Sequence, residues 1–189
     1  MKQRSLARVT ASALFVAALA APALARELAG VSMPDTMMVG DKTVKLNGMG
    51  IRKKAFFKVY VAGLYLAAPS KDAAAILSAD APRLIRMEYV RSVGKEKIAE
   101  AFREGFQNNA PDLAAKQKAA IDRMIAAVPE MKDGGVMVFT YDPSKGTTLS
   151  CDGKDLFSTP GKEFADAVFS LWLGPKPPSD DLKKGLLGD

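Results

Sequence analysis

Arg52 and Tyr60 are the residues on which chemistry can be built in this chain. They flank the segment "RKKAFFKVY", and their spacing is even. Side chains alternate along a strand, so Phe56, Lys58, Tyr60, Ala62 and Leu64 share one face, and Arg52 joins them if the strand runs on. A guanidinium fork matches a carboxylate through two parallel hydrogen bonds. A phenol beside it adds a neutral partner. A cleft between such a strand and covering helices would present an apolar wall with a cation and a phenol at one end. That is the chemistry of an amphipathic carboxylate. Each buried CH₂ of its tail adds about 0.8 kcal/mol, so the tail can dominate affinity while the head group sets orientation. The competing reading is a snorkelling Arg52 at a turn and a core Tyr60 above a filled interior.

Much other chemistry is excluded. The chain has no histidine, so Ser-His and Cys-His couples and His-based zinc or haem sites are absent. Proton transfer would fall to Tyr, Lys, carboxylates or water. Asp142, Asp152 and Asp155 lack calcium-loop spacing, and their Asp-Pro and Asp-Gly pairs punctuate strands. No metal or cofactor is expected. Cys151 is the only cysteine, so no internal disulfide can form. Within "TTLSC" it reads as a small core or edge residue.

Gly48-Met49-Gly50 opens like a dinucleotide fingerprint. That fingerprint needs a third glycine and a helix behind it, so that amides point at the pyrophosphate. Here Lys53 stands at the third position and "AFFKVYVAGLYL" follows, rich in β-branched and aromatic residues. The two glycines instead suit a sharp turn or a close approach to a neighbouring element.

These residues must be positioned by a fold, and the fold does not begin at residue 1. "MKQRSLAR" carries Lys2, Arg4 and Arg8 without an acid, Val9 to Ala21 is apolar and Ala-rich, and Ala23-Leu24-Ala25 is an A-x-A cleavage pattern. This is the anatomy of a secretory signal peptide; the alternative is an uncleaved anchor. The expectation is cleavage after Ala25, a periplasmic or secreted location, and no stable membrane anchor afterwards. Residues 26–189 then form one domain of 164 residues, and the net charge falls from +6 to +3 with the loss of three basic residues. Nucleic-acid binding loses most of its compositional support.

Within 26–189 the pattern is strands, helices, strands, helix. Residues 28–46 alternate weakly around Gly40-Asp41, as two short strands. Phe56 to Leu66 is a strand. "PSKDAAAILSA" is a short helix. From Arg83 to Arg91, Ile85, Met87 and Tyr89 face one way and Arg86 and Glu88 the other. Ile98, Ala101, Phe102, Gly105 and Phe106 then make one helical stripe, which Asn108 to Pro111 stops. Leu113, Ala120, Ile121, Met124, Ile125 and Val128 make a second. "VMVFTY", "TTLSC" and "KDLFS" form a meander. "TPGKEFADAVFSLWLGP" is a helix with Thr159 as N-cap and Pro160 in the first turn, burying Phe164, Val168, Leu171 and Trp172. A tail helix spans Ser179 to Leu187. The sum is an α+β domain, an antiparallel sheet covered by helices.

"LNGMGIRKKAFFKVYVAGLYL", "FADAVFSLWLG" and "LKKGLLG" together resemble the chalcone isomerase-like superfamily, and more closely its exported bacterial members, over residues 30–188. The resemblance implies an open-faced antiparallel β-sandwich with a layer of helices packed on the sheet. It also implies a functional split. Plant chalcone isomerases cyclise chalcones with the arginine after Gly-x-Gly, a strand threonine, a tyrosine and an asparagine near the next long helix, and late polar residues in the last large helix. Related plastid proteins bind fatty acids with the same arginine and a strand tyrosine. Arg52 matches the arginine and Tyr60 takes the threonine's place, as in the binders. Gly94, Ala101, Leu171 and Trp172 fall where the enzymes carry polar groups.

Three function classes follow. The first is a non-catalytic binder of a fatty acid or similar amphipathic carboxylate, with Arg52, Tyr60, Lys58, Phe56 and Leu64 as ligand-binding residues and no catalytic residue. The second is a chalcone isomerase-type intramolecular lyase, with Arg52 as oxyanion stabiliser and Tyr60 as proton relay. The third is an envelope interaction protein without a small ligand.

Overall fold

The structure, a computed structural model, describes residues 25–189. Residues 1–24 of the expected export segment lie outside the described residues, and its last residue, Ala25, opens the first strand. The first two strands, β1 (Ala25–Leu28) and β2 (Val31–Pro34), pair only with each other. The next seven form one sheet in chain order: β3 (Thr36–Val39), β4 (Lys42–Lys54), β5 (Phe57–Leu66), β6 (Arg83–Tyr89), β7 (Val136–Asp142), β8 (Gly146–Cys151) and β9 (Lys154–Thr159). Every neighbouring pair is antiparallel. Helix α1 (Ala73–Ser78) bridges β5 and β6. Helices α2 (Lys95–Asn109), α3 (Pro111–Lys116) and α4 (Lys118–Ala127) bridge β6 and β7. Helices α5 (Lys162–Leu173) and α6 (Asp180–Leu186) close the chain.

The period-2 pattern decides which face each strand buries. Tyr60, Ala62, Leu64, Ile85, Met87, Tyr89, Phe139 and Leu149 join the core shared with the helices. Val61, Tyr65 and Leu84 point the other way, into a smaller core with Val31 and Met33 of the β1–β2 hairpin. That hairpin crosses β5 where Gly63 leaves room: a Cβ there would lie 2.5 Å from the Met33 sulfur. Strand β5 is therefore buried at every residue from Tyr60 to Leu66, which is why it reads as an unbroken apolar run.

The segment from Gly48 to Lys54 is strand, not a turn. Its glycines serve a close approach. A Cβ on Gly48 would sit 2.1 Å from the Gly185 carbonyl oxygen, and one on Gly50 would sit 2.5 Å from that of Leu182. Gly185 answers from α6, where a Cβ would meet the Met49 carbonyl oxygen at 2.4 Å. Three missing side chains let helix and strand backbones touch, and "GMG" and "LKKGLLG" are two halves of one contact.

Other expectations are corrected. The N-terminal strands number more than two, because β1 and β2 form a hairpin of their own ahead of the Gly40-Asp41 turn between β3 and β4. Phe56 lies in the turn before β5, which begins at Phe57. Thr159 does not cap α5. It ends β9, paired with Thr147, and the cap position is Gly161 at φ 98°. The second helical stripe breaks at Gln117, so that α3 packs on α5 while α4 packs on β9. On α2 the buried stripe takes Ala99, and Ala101 is exposed.

Candidate functional site

Strands β4 and β5 form a hairpin whose turn is made by Ala55, at φ 52°, and Phe56. Counting back from the turn, Lys54 pairs with Phe57 and Lys53 with Lys58; a bulge then skips Val59, and Arg52 pairs with Tyr60. Directly opposed residues of an antiparallel pair share a face, with Cβ atoms about 4.5–5.5 Å apart. Arg52 and Tyr60 therefore do stand together, across the hairpin and not along one strand. The bulge is what brings them into register.

Tyr60 faces the helices and is 9% exposed. Its ring packs on Tyr89 at 5.6 Å between centroids. The indole Nε1–H of Trp172, on α5, donates to the Tyr60 oxygen at 3.1 Å. Burial pushes the Tyr60 phenol up to about 12, against smaller opposing pulls from the Trp172 hydrogen bond and the Arg52 charge. The phenol is thus neutral at any physiological pH. Its oxygen accepts from Trp172, and its own hydrogen has no acceptor among the described residues. Tyr89 is also pushed up, chiefly by burial. Arg52 is half-buried, and its Nη1 donates to the Lys53 carbonyl at the start of the turn. Among the described residues no carboxylate pairs with it.

The remaining expected ligand residues separate. Leu64 is fully buried on the helix-facing side, beyond Ala62 from Tyr60. Lys58 and Phe56 lie at the exposed end of the hairpin, Phe56 at 98% exposure. Of the four positions that the resemblance sets against polar groups, Gly94 stands at the N-cap of α2, Ala101 is exposed, and Leu171 and Trp172 are buried in α5.

Trp172 is the site residue that sequence reasoning missed. The helical stripe puts it on the buried face of its helix and names no partner for it. The signal was available: a buried indole N–H requires an acceptor. Below Tyr60 the interior is filled by rings, with Phe139 and Phe102 at 5.7 and 6.4 Å from Trp172. Two grooves lie elsewhere. One of about 380 Å³ runs between α2 and α4, past Lys95, Ala99, Arg103 and Asp122. One of about 260 Å³ lies between β4 and α6, past Met49, Ile51, Lys53 and Asp181. Among the described residues no cluster of three His, Cys, Asp or Glu side chains could hold a metal ion. No helix there is long and apolar enough to cross a membrane.

No curated protein matches the chain. Among solved structures, 37 chains match. One is the crystal structure of a fatty-acid-binding protein from Arabidopsis thaliana, similar at 18% identity and a TM-score of 0.65 over 84% of this chain and 92% of that one. At that identity the likeness is one of fold: a curled antiparallel sheet with helices on one side. The description "chalcone isomerase-like" attaches to a family model that matches residues 25–188, which takes in the β4–β5 hairpin, the helix layer and the α6 contact, and the chain therefore belongs to the chalcone isomerase-like family.

Proposed function

We propose that this chain is a non-catalytic binding protein for a fatty acid or similar amphipathic carboxylate, exported to the periplasm or beyond. The observation that carries the reading is the unspent hydrogen-bonding capacity of one cross-strand pair. Arg52 has no carboxylate partner among the described residues, and the Tyr60 oxygen already accepts from Trp172, which leaves its hydroxyl hydrogen to give. A carboxylate is the group that uses a guanidinium fork and a neutral phenol at once. The fatty-acid-binding protein of the same fold supports the choice of ligand class.

An acyl chain attached to that head group would run between the sheet and α5. Tyr60, Tyr89, Phe102 and Trp172 now pack there, so the bound state requires these rings to move apart. Trp172 is the only tryptophan, and its emission then reports occupancy directly.

The isomerase alternative needs a group that gives and regains a proton near neutrality. A phenol pushed up to about 12 stays protonated near neutrality, so its basic form is not available. Gly94, Ala101 and Leu171 supply no side chain that could relay one.

Calorimetric titration of the delipidated protein with a long-chain acid and with its methyl ester tests the reading. The acid is expected to bind more tightly than the ester and to shift Trp172 emission. The Arg52→Ala variant is expected to treat the two nearly alike. Acid binding that is as tight in Arg52→Ala as in wild type would overturn it, as would cyclisation of a chalcone by wild type at a rate that depends on Arg52.

A further inference from the structure

The tip of the β4–β5 hairpin carries a surface that neither the fold nor a carboxylate site uses. Only three large hydrophobic side chains are exposed among the described residues, and two of them are neighbours here: Phe56 at 98% and Phe57 at 60%. Neither belongs to a hydrophobic core of the fold. The residues around them are basic. Lys53, Lys54 and Lys58 are all exposed, and the run from Arg52 to Lys58 contains no acid. Lys53 stands directly opposite Lys58 across the hairpin, a like-charge pairing that weakens a sheet. Neither lysine has an ion-pair partner among the described residues. Arg91, from the loop after β6, adds a fourth cation by lying over the Phe57 ring at 4.6 Å.

Two aromatic rings at the apex of a projecting hairpin, collared by unpaired cations, match one kind of surface. The apolar tip suits the acyl boundary of a bilayer, and the collar suits anionic head groups around it. We propose that the β4–β5 hairpin tip docks the protein onto anionic phospholipid membranes, with Phe56 and Phe57 inserted and Lys53, Lys54, Lys58 and Arg91 on the head groups. Docking is peripheral and reversible, and it stands without the ligand reading. If that reading also holds, the Arg52–Tyr60 pair, the third pairing back from the turn, lies near the membrane from which an amphipathic carboxylate would be drawn.

The test is co-sedimentation with vesicles of phosphatidylcholine alone and of phosphatidylcholine with phosphatidylglycerol, with no fatty acid added. Protein recovered from an exporting host is used, its N-terminus sequenced, so that wild type and variants are compared with the same terminus. Wild type is expected to prefer the anionic vesicles and to lose that preference as salt screens the collar. Phe56→Ser with Phe57→Ser is expected to lower partitioning about tenfold or more. Lys53→Gln, Lys54→Gln and Lys58→Gln are expected to cost about fivefold each, on anionic vesicles only. Thermal melts of all variants should match wild type, since these side chains are exposed. The proposal is overturned if wild type ignores anionic vesicles, or if the Phe56/Phe57 variant partitions as wild type does. It is also overturned if wild type is a dimer that this variant splits, since the patch would then be an interface between copies. A failure here leaves the acid-versus-ester titration untouched, and the reverse also holds.

Discussion

Two arginines on the helix-facing side of the sheet each stand beside a tyrosine, and the two pairs are finished differently. Arg83 is 1% exposed, and both of its terminal nitrogens are engaged while the buried Nε is left without a partner. It pairs with Asp166 at 2.7 Å, donates to the carbonyls of Ala79 and Ile76 at 2.7 and 3.2 Å, and lies 4.8 Å from the Tyr141 ring and 4.9 Å from the Phe169 ring. Its tyrosine is engaged too: the Tyr141 hydroxyl donates to Asp80 at 2.5 Å. Burial pulls the Arg83 guanidinium pKa down, and Asp166 pulls it part of the way back. Arg52 has no such carboxylate among the described residues, and Tyr60 accepts a hydrogen bond where Tyr141 gives one. The first pair is closed and ties α1, β6, β7 and α5 together. The second is open. The buried arginine serves the fold because the chain supplies its anion; the half-buried one has none from the chain, and under the proposed function a ligand carboxylate would supply it.

The comparison is first sharpened by alkali, which acts on both pairs at once. Tyr60, Tyr65 and Tyr141 are each raised from 10.0 to about 12, with burial the largest cause, and Tyr89 is raised as well. A tyrosine held neutral in the fold contributes its full share of stability below pH 10, and that share is lost as pH rises through about 12. Chemical denaturation at stepped pH is expected to show stability flat below pH 10 and collapsing above it. Tyrosinate absorbance should appear together with unfolding, not before it. Tyrosinate forming near pH 10 in still-folded protein would break the description of both sites.

Asp166→Ala opens the closed pair. It leaves a 1%-exposed guanidinium without its carboxylate, and removing one partner of a buried ion pair costs about 3–5 kcal/mol. Thermal and urea melts read this directly, and acid binding by whatever remains folded should be unchanged. Arg52→Ala does the opposite. It should weaken long-chain acid binding by about 1.5–3 kcal/mol, the scale of a hydrogen bond to a charged group, and change stability by no more than about 0.5 kcal/mol. Arg52→Lys should recover little of the loss, because an ammonium keeps the charge and loses the fork. A large drop in melting temperature for Arg52→Ala would make the two arginines alike and dissolve the contrast. Tyr60→Phe has the smallest expected effect, about 0.5–1.5 kcal/mol of binding, since a neutral partner is lost. It also removes the acceptor of the Trp172 N–H, so a shift in Trp172 emission should accompany it even without ligand.

The sequence by itself determined the elements and the faces they bury. Ile85, Met87 and Tyr89 against Arg86 and Glu88 is a period of two, and Phe164, Val168, Leu171 and Trp172 share a helical stripe. Both patterns are local and are set by backbone geometry alone. It also marked Arg52 and Tyr60 through residue type and even spacing. Tertiary structure decided how they meet: Ala55 takes a positive φ, the hairpin bulges at Val59, and Arg52 is placed opposite Tyr60 on the neighbouring strand. The same turn sent Phe56 and Lys58 to the surface, which strand alternation had assigned to the cleft. Only the packed fold could give Trp172 to Tyr60, a hydrogen bond spanning 112 residues of chain, or bring Gly185 against Gly48 and Gly50. A periodicity records which side of an element avoids water. It carries no record of which other element arrives there, because that choice is made by close packing between segments far apart in the chain.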